Sequence, residues 1–273
     1  MTSIAVIINA DDLGISQEVN DATFDLISRG RISSATILAN APATREATRL
    51  ASQFPRCSFG VHLNLTQFET LTSGPEARLL VDRSGRMTRA NRLARPTPGR
   101  LRAAYREWSA QVERVASLGV CISHLDSHHH VHTLPVFFPV LKEVQRRYGI
   151  RRVRLAKNFY SSDQPCPLYL SWKKRAYNRA LKSLYATQTT DAFSEFLTFY
   201  HAETARQRSV GRMELMVHPG APYAREEAAI LETDWAARIG VPLQLISYAE
   251  LPPERRQASL RYARPGKELR PCE

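Results

Sequence analysis

The sequence predicts an α/β fold, one domain in which strands and helices alternate around a parallel sheet. Three observations carry this. Runs such as Ser3 to Asn9 and Met213 to Val217 are apolar at nearly every position, as in strands covered on both faces. Between such runs lie segments with apolar residues at helical spacing, several of them closed by glycine. No internal repeat or composition break divides the chain, and 273 residues suit one α/β barrel of about 250 residues.

Taken in order, Ser3 to Asn9 reads as the first strand and ends in Ala10-Asp11-Asp12-Leu13-Gly14. Ser16 is a good cap for a helix over Gln17 to Arg29, with Gly30 as its stop. Ser34 to Asn40 reads as strand, Thr44 to Phe54 as helix, and Ser58 to Leu65 as the third strand. Thr66 to Pro98 shows no periodicity and reads as a long functional loop or insertion. A helix is expected over Arg100 to Leu118, then a short strand at Val120-Cys121-Ile122 leading to a histidine cluster. Val136 to Tyr148 reads as helix and Val153-Arg154-Leu155 as a short strand. Lys157 to Pro167 is expected as loop. Ser171 to Tyr185 is expected as a basic amphipathic helix with Trp172, Ala176, Tyr177, Ala180, Leu181 and Leu184 on one face. Met213 to Val217 is a late strand, Arg225 to Ile239 a helix and Leu243 to Ser247 the last strand. The domain is expected over 1–250, with 251–273 a charged, weakly ordered tail rich in Pro and Arg.

Hydrophobic residues make up 43%, enough for a sizeable core, and no run approaches a transmembrane length. The N-terminus lacks the order of a signal peptide, so a cytoplasmic location is expected. Cys57, Cys121, Cys166 and Cys272 are scattered and read as free thiols. The net charge of +12 favours anionic partners, but no nucleic-acid module accompanies it, so nucleic acid is not expected. A basic helix such as Ser171 to Tyr185 can lie on an anionic membrane; a packed helix with a solvated basic face is the commoner case.

Four strand ends carry candidate chemistry: Asp11-Asp12, His62, Asp126-His128 and His218. In a parallel sheet the carboxyl ends of all strands share one rim, so these residues should converge. Five of the chain's eight histidines fall between His124 and His132. Two adjacent carboxylates after a buried strand are costly unless paired or bound to a cation. His62 and Asn64 alternate with Val61, Leu63 and Leu65 and so share a strand face. One carboxylate and two imidazoles suit Zn²⁺ and other first-row divalent ions better than Mg²⁺ or Ca²⁺. A further Asp and a separate His complete the parts of a metal-assisted hydrolase.

Ala10-Asp11-Asp12-Leu13-Gly14, Gly60 to Thr66, His124 to His132 and Val217-His218-Pro219-Gly220 together resemble the YdjC-like (ChbG/HpnK) carbohydrate deacetylase family. The resemblance implies a distorted (β/α) TIM-like barrel, one divalent metal ion, a homodimer, and hydrolysis of an N-acetyl group on an amino sugar. By position it makes Asp12, His62 and His128 the metal ligands, Asp11 the base and His218 the acid. Asp126 is then expected to orient a histidine. Asn64, His130 and His132 are candidates for substrate or supporting contacts, with a structural role equally open. Two other readings compete: a metal-dependent phosphoesterase, which usually needs a denser ligand set, and a metal- or anion-binding module without turnover. An anionic or lipid-linked sugar is the variant that the basic helix suggests.

Overall fold

Alternation along the first strand, β1 (Ile4–Leu13), sets the architecture. Ile4, Val6, Ile8 and Ala10 pack outward into the main core, while Ile7 faces a second cluster with Ile246, Tyr248 and Leu251. The strand is thus covered on both faces, as its apolar run requires. The structure is a computed structural model and describes residues 3–207 and 209–251.

The other strands are β2 (Ser34–Ile37), β3 (Ser58–Leu63), β4 (Ile122–Ser127), β5 (Arg152–Val153), β6 (Ala192–Glu195), β7 (Arg212–Val217) and β8 (Leu243–Leu245). They form one all-parallel sheet in the order β5-β4-β3-β2-β1-β7-β6, with β8 pairing the first residues of β1. Among the described residues no ladder joins β5 to β6. The seam is bridged by the Val153 N–H to the Gln188 carbonyl at 3.1 Å, and by the Asn158 and Phe159 N–H groups to the Phe193 carbonyl at 3.3 Å. The result is a single α/β domain with a half-barrel sheet, the distorted barrel expected from the sequence.

The main helices are α1 (Gln17–Ser28), α2 (Thr44–Ala51), α3 (Pro98–Ser117), α4 (Phe138–Tyr148), α5 (Leu168–Ser183), α6 (Phe196–Tyr200), α7 (Thr204–Gln207), α8 (Arg225–Glu232) and α9 (Trp235–Arg238). Ser16 caps α1 by accepting from the Val19 N–H at 3.3 Å, as expected.

Several expectations need correction. β1 and β4 run through their acidic and histidine residues instead of stopping before them; buried partners inside the barrel make those polar side chains affordable there. The helix expected over Arg225 to Ile239 is broken at Thr233 and Asp234 into α8 and α9. β6 went unpredicted because Ala192–Glu195 has no apolar alternation of its own. The connection 64–97 is not structureless. It holds two short 3₁₀ turns, and the Asn91 amide ties the Leu65 and Leu80 carbonyls together at 2.7 and 2.6 Å. On α5, Tyr177 and Leu181 are buried, but Trp172, Ala176 and Leu184 face outward, contrary to the expected apolar face. Cys57 and Cys166 are free, whereas Cys121 is disulfide-bonded, which overturns the reading of it as a free thiol. Residues 252–273 of the expected tail lie outside the described residues. No described helix is long and apolar enough to cross a membrane.

Candidate metal centre

Successive strand residues point to opposite faces, so Asp11 and Asp12 should not both reach one site. The backbone solves this locally. The register between β1 and β2 shifts between Ala10 and Leu13, and Asp12 adopts a left-handed φ of 63°. Aspartate tolerates that region better than most residues. The irregularity turns both carboxylates toward the sheet's carboxyl rim, the re-aiming that bulges commonly serve.

Asp12 Oδ1 then lies 3.2 Å from His62 Nε2 and 2.7 Å from His128 Nδ1. The far nitrogens of both rings are engaged. His62 Nδ1 meets Asp126 Oδ1 at 2.7 Å, and His128 Nε2 meets Gln67 Oε1 at 2.8 Å. With a ring proton given to each of those acceptors, the neutral rings can turn a lone pair each, beside a carboxylate oxygen, toward one point. Such a cluster is repulsive unless protons or a cation lie within it. Asp12, His62 and His128 have donor atoms within 4.8 Å of one another and fit a divalent cation. Asp11, His62 and Asp126 are equally close together, but Arg154 already neutralises both of those carboxylates, so the first trio is the better site.

Asp11 has a different partner. Arg154 donates to both of its oxygens at 2.6 Å, and Asn9 Nδ2 adds a third hydrogen bond at 2.9 Å. Arg154 has no exposed surface and also reaches Asp126 at 2.9 Å and Glu214 at 2.7 Å. Burial alone would raise the Asp11 carboxyl, but Arg154 and then His62 draw it well below the usual carboxylate range. Asp12 is likewise drawn below that range despite burial, by hydrogen bonding to His128 and His62. His62 goes the other way: burial opposes its charge, but Asp126 and Asp11 carry it up to about 10.

The other predicted residues fall in varied places. Asp126 sits under His62, with Thr36 Oγ1 also donating to it at 3.0 Å. His218, at the end of β7, is half-buried; its backbone N–H donates to Glu227 Oε1 at 2.5 Å, and its ring lies 5.6 Å from that of Tyr223. Its field reaches Asp11. Gly220 fixes this turn: at φ +77° a Cβ would lie 2.8 Å from the Glu18 carbonyl oxygen. Asn64 spends its side chain on the loop, accepting from the Thr66 N–H at 2.8 Å and donating to the Gln67 carbonyl at 2.7 Å. His132 is wholly buried, with Nδ1 2.5 Å from Ser127 Oγ and Nε2 3.2 Å from the Arg154 carbonyl. His130, at a left-handed φ of 55°, has no hydrogen-bond partner for Nδ1, and its ring meets Phe193 edge-on. Burial, and next the charge of Arg154, push it down to about 4.

The sequence reading missed Arg154, Glu214, Thr36, Gln67 and Tyr248. A signal existed for one of them: Glu214 is a lone charge inside the otherwise apolar run Met213 to Val217, whereas Arg154 stands among Arg151, Arg152 and Lys157. Tyr248 donates to Glu214 at 2.5 Å and stacks on His124, with ring centroids 3.7 Å apart. Together they close the floor of the barrel beneath the site.

Fold and site define a parallel α/β half-barrel with a cation-competent Asp/His cluster and a separate, arginine-held carboxylate at its carboxyl rim. The family model described as YdjC-like protein matches residues 5–252, and the chain belongs to that family. Proteins named carbohydrate deacetylase are similar over part of the chain. That of Vibrio campbellii is 39% identical over 145 residues, covering 53% of this chain and 57% of its own length. That of Geobacillus stearothermophilus is 39% identical over 153 residues, covering 55% and 60%. The match therefore spans a little over half the length of these relatives. A crystal structure from Enterococcus faecalis V583, of a protein thought to cleave cellobiose phosphate, superposes with a TM-score of 0.70 at 22% identity, covering 90% of this chain and 98% of that one. It supports the fold alone.

Proposed function

We propose that the protein is a metal-dependent carbohydrate deacetylase, hydrolysing the N-acetyl group of an amino sugar. The observation that carries this is the division of labour at Asp11-Asp12. The bulge sends one carboxylate to two imidazoles and the other to an arginine. A binding module needs only the first.

Asp12, His62 and His128 would hold the cation, with Zn²⁺ favoured by the nitrogen-rich donor set over Mg²⁺. A divalent cation there supplies Lewis acidity, polarising the acetamide carbonyl and lowering the pKa of water. Asp126 holds the His62 ring in orientation. Arg154 keeps Asp11 ionised and aimed; Asp11 takes the proton of the attacking water. An arginine-paired carboxylate is a weak base, which suits a water that is already acidified. His218, on the neighbouring strand, delivers a proton to the leaving amine, since an amide nitrogen departs poorly without one. His130, whose buried Nδ1 lacks a partner, is the supporting histidine with a polar atom left to engage. A cytoplasmic homodimer built on one domain over 1–250 goes with this reading.

The test is acetate release from N-acetylated mono- and oligosaccharides by metal-stripped protein, before and after Zn²⁺, Co²⁺, Mn²⁺ or Mg²⁺ is restored. Asp11→Asn should cut turnover by about 10²–10⁴ while leaving metal content unchanged. Surviving activity would remove Asp11 as the base. Phosphate release from phosphoesters in place of acetate would make the protein a phosphoesterase.

A further inference from the structure

On α5 the side chains facing the protein are Tyr177, Asn178 and Leu181. The opposite stripe carries Leu168 and Trp172, 84% and 74% exposed, with Tyr169 beside them at 68%. The buried stripe would have served these apolar groups, yet the helix turns them to solvent. No Asp or Glu occurs between Asp163 and Asp191, a stretch holding five Lys and Arg residues. The long connection after β3 repeats the pattern: between Asp82 and Glu107 there are eight arginines and no acid, and Leu93 is 92% exposed. Because every strand pairing is parallel, the connections after β3 and β5 leave from the same carboxyl rim as the metal centre. Side-chain contacts tie α5 to that rim. Lys174 Nζ meets Tyr160 Oη at 2.5 Å, the Lys157 amine lies 5.0 Å from the Tyr160 ring centroid, and Lys157 pairs with Glu195 at the end of β6.

We propose that this rim is a docking surface for an anionic lipid bilayer, with Leu168, Tyr169 and Trp172 entering the interface and the flanking cations held at the headgroups. Exposed Trp and Tyr beside Lys and Arg, on a helix without acids, are the composition of an interfacial helix. A glycan-stacking platform would use the aromatic rings but has no need of Leu168 or of two acid-free cationic segments. The proposal does not depend on the deacetylase reading, and its test does not use activity.

Trp108 and Trp235 are buried, so Trp172 is the exposed reporter among the three tryptophans. The full chain would be mixed with phosphatidylcholine vesicles, with and without about one third phosphatidylglycerol, at low and high salt. Binding should occur on the anionic vesicles at low salt, weaken as salt screens the charges, and shift Trp fluorescence to the blue. Trp172→Ala should abolish that shift and weaken binding roughly tenfold, with an unchanged melting temperature. Lys173→Ala with Arg175→Ala should weaken it about thirtyfold, at about 1 kcal/mol for each charge. Equal binding to neutral and anionic vesicles, or none to either, overturns the proposal. So does a Trp172 shift with soluble chitooligosaccharides alone, which would make the patch a glycan platform. Self-association lost in Trp172→Ala, without vesicle binding, would make it an interface between copies of this chain.

Discussion

Arg154 is the residue on which the site's charge balance turns. Its guanidinium pairs with Asp11, Asp126 and Glu214 and lies 4.7 Å from the centroid of the Phe193 ring. The bidentate fork to Asp11 is a geometry that lysine cannot reproduce. Removing it strands buried carboxylates against one another. Arg154→Met should cost about 3–5 kcal/mol in chemical denaturation. A loss within about 0.5 kcal/mol would mean that Asp11 and Asp126 find other partners and that Arg154 is not what holds them. Of the site residues, those with unusual spacing were legible from sequence, as Asp11-Asp12 and the histidine run show. Arg154 was not, because it stands in a basic segment with Arg151 and Arg152, and nothing local says which strands its fork will join.

Among elements, the approach of β3 to β4 places His62 over Asp126 in register. Gly60 permits it: a Cβ there would lie 2.7 Å from both the His124 carbonyl oxygen and its ring. The backbone oxygen cannot rotate away, and the ring is stacked on Tyr248. Gly60→Ala should therefore destabilise by about 1–3 kcal/mol and loosen metal binding, read by denaturation and by metal titration. A variant as stable as the wild type would show that the two strands can separate freely. β7 and α8 are joined differently, through Glu227, which accepts the His218 N–H. Burial pushes its carboxyl up to about 7 from an ordinary 4.5. The folded state then keeps a proton that the unfolded chain releases, so this group's contribution to stability is lost as pH rises from about 4.5 to about 7. Glu227→Gln removes that loss. Its melting temperature relative to wild type should climb across this interval and level off above it; a gap independent of pH would refute the linkage.

For the molecule as a whole, helices cover the outer face of the sheet while the inner face is polar toward its carboxyl end. Thr36, His62, Asp126, Asp11, Arg154 and Glu214 are each nearly or wholly buried there. Few unpaired groups result, because almost every one finds a partner across the barrel. At that scale the charge asymmetry matters too: the connections after β3 and β5, both rich in Lys and Arg, leave from the rim that holds the site.

The sequence by itself determined the βα alternation, the parallel sheet and the strand ends that carry the candidate site. Apolar periodicity and turn residues are local, and parallel order follows from crossover helices. It also singled out Asp12, His62 and His128 by motif. Tertiary structure alone decided which residues stand behind them. The bulge at Asp11-Asp12, the bridge of Arg154 to three strands and Tyr248 beneath His124 all depend on contacts between distant segments, which no local pattern encodes. The orientation of α5 was likewise decided only by packing. Its apolar residues fall on more than one face, and the barrel took Tyr177 and Leu181 and left Trp172 to solvent.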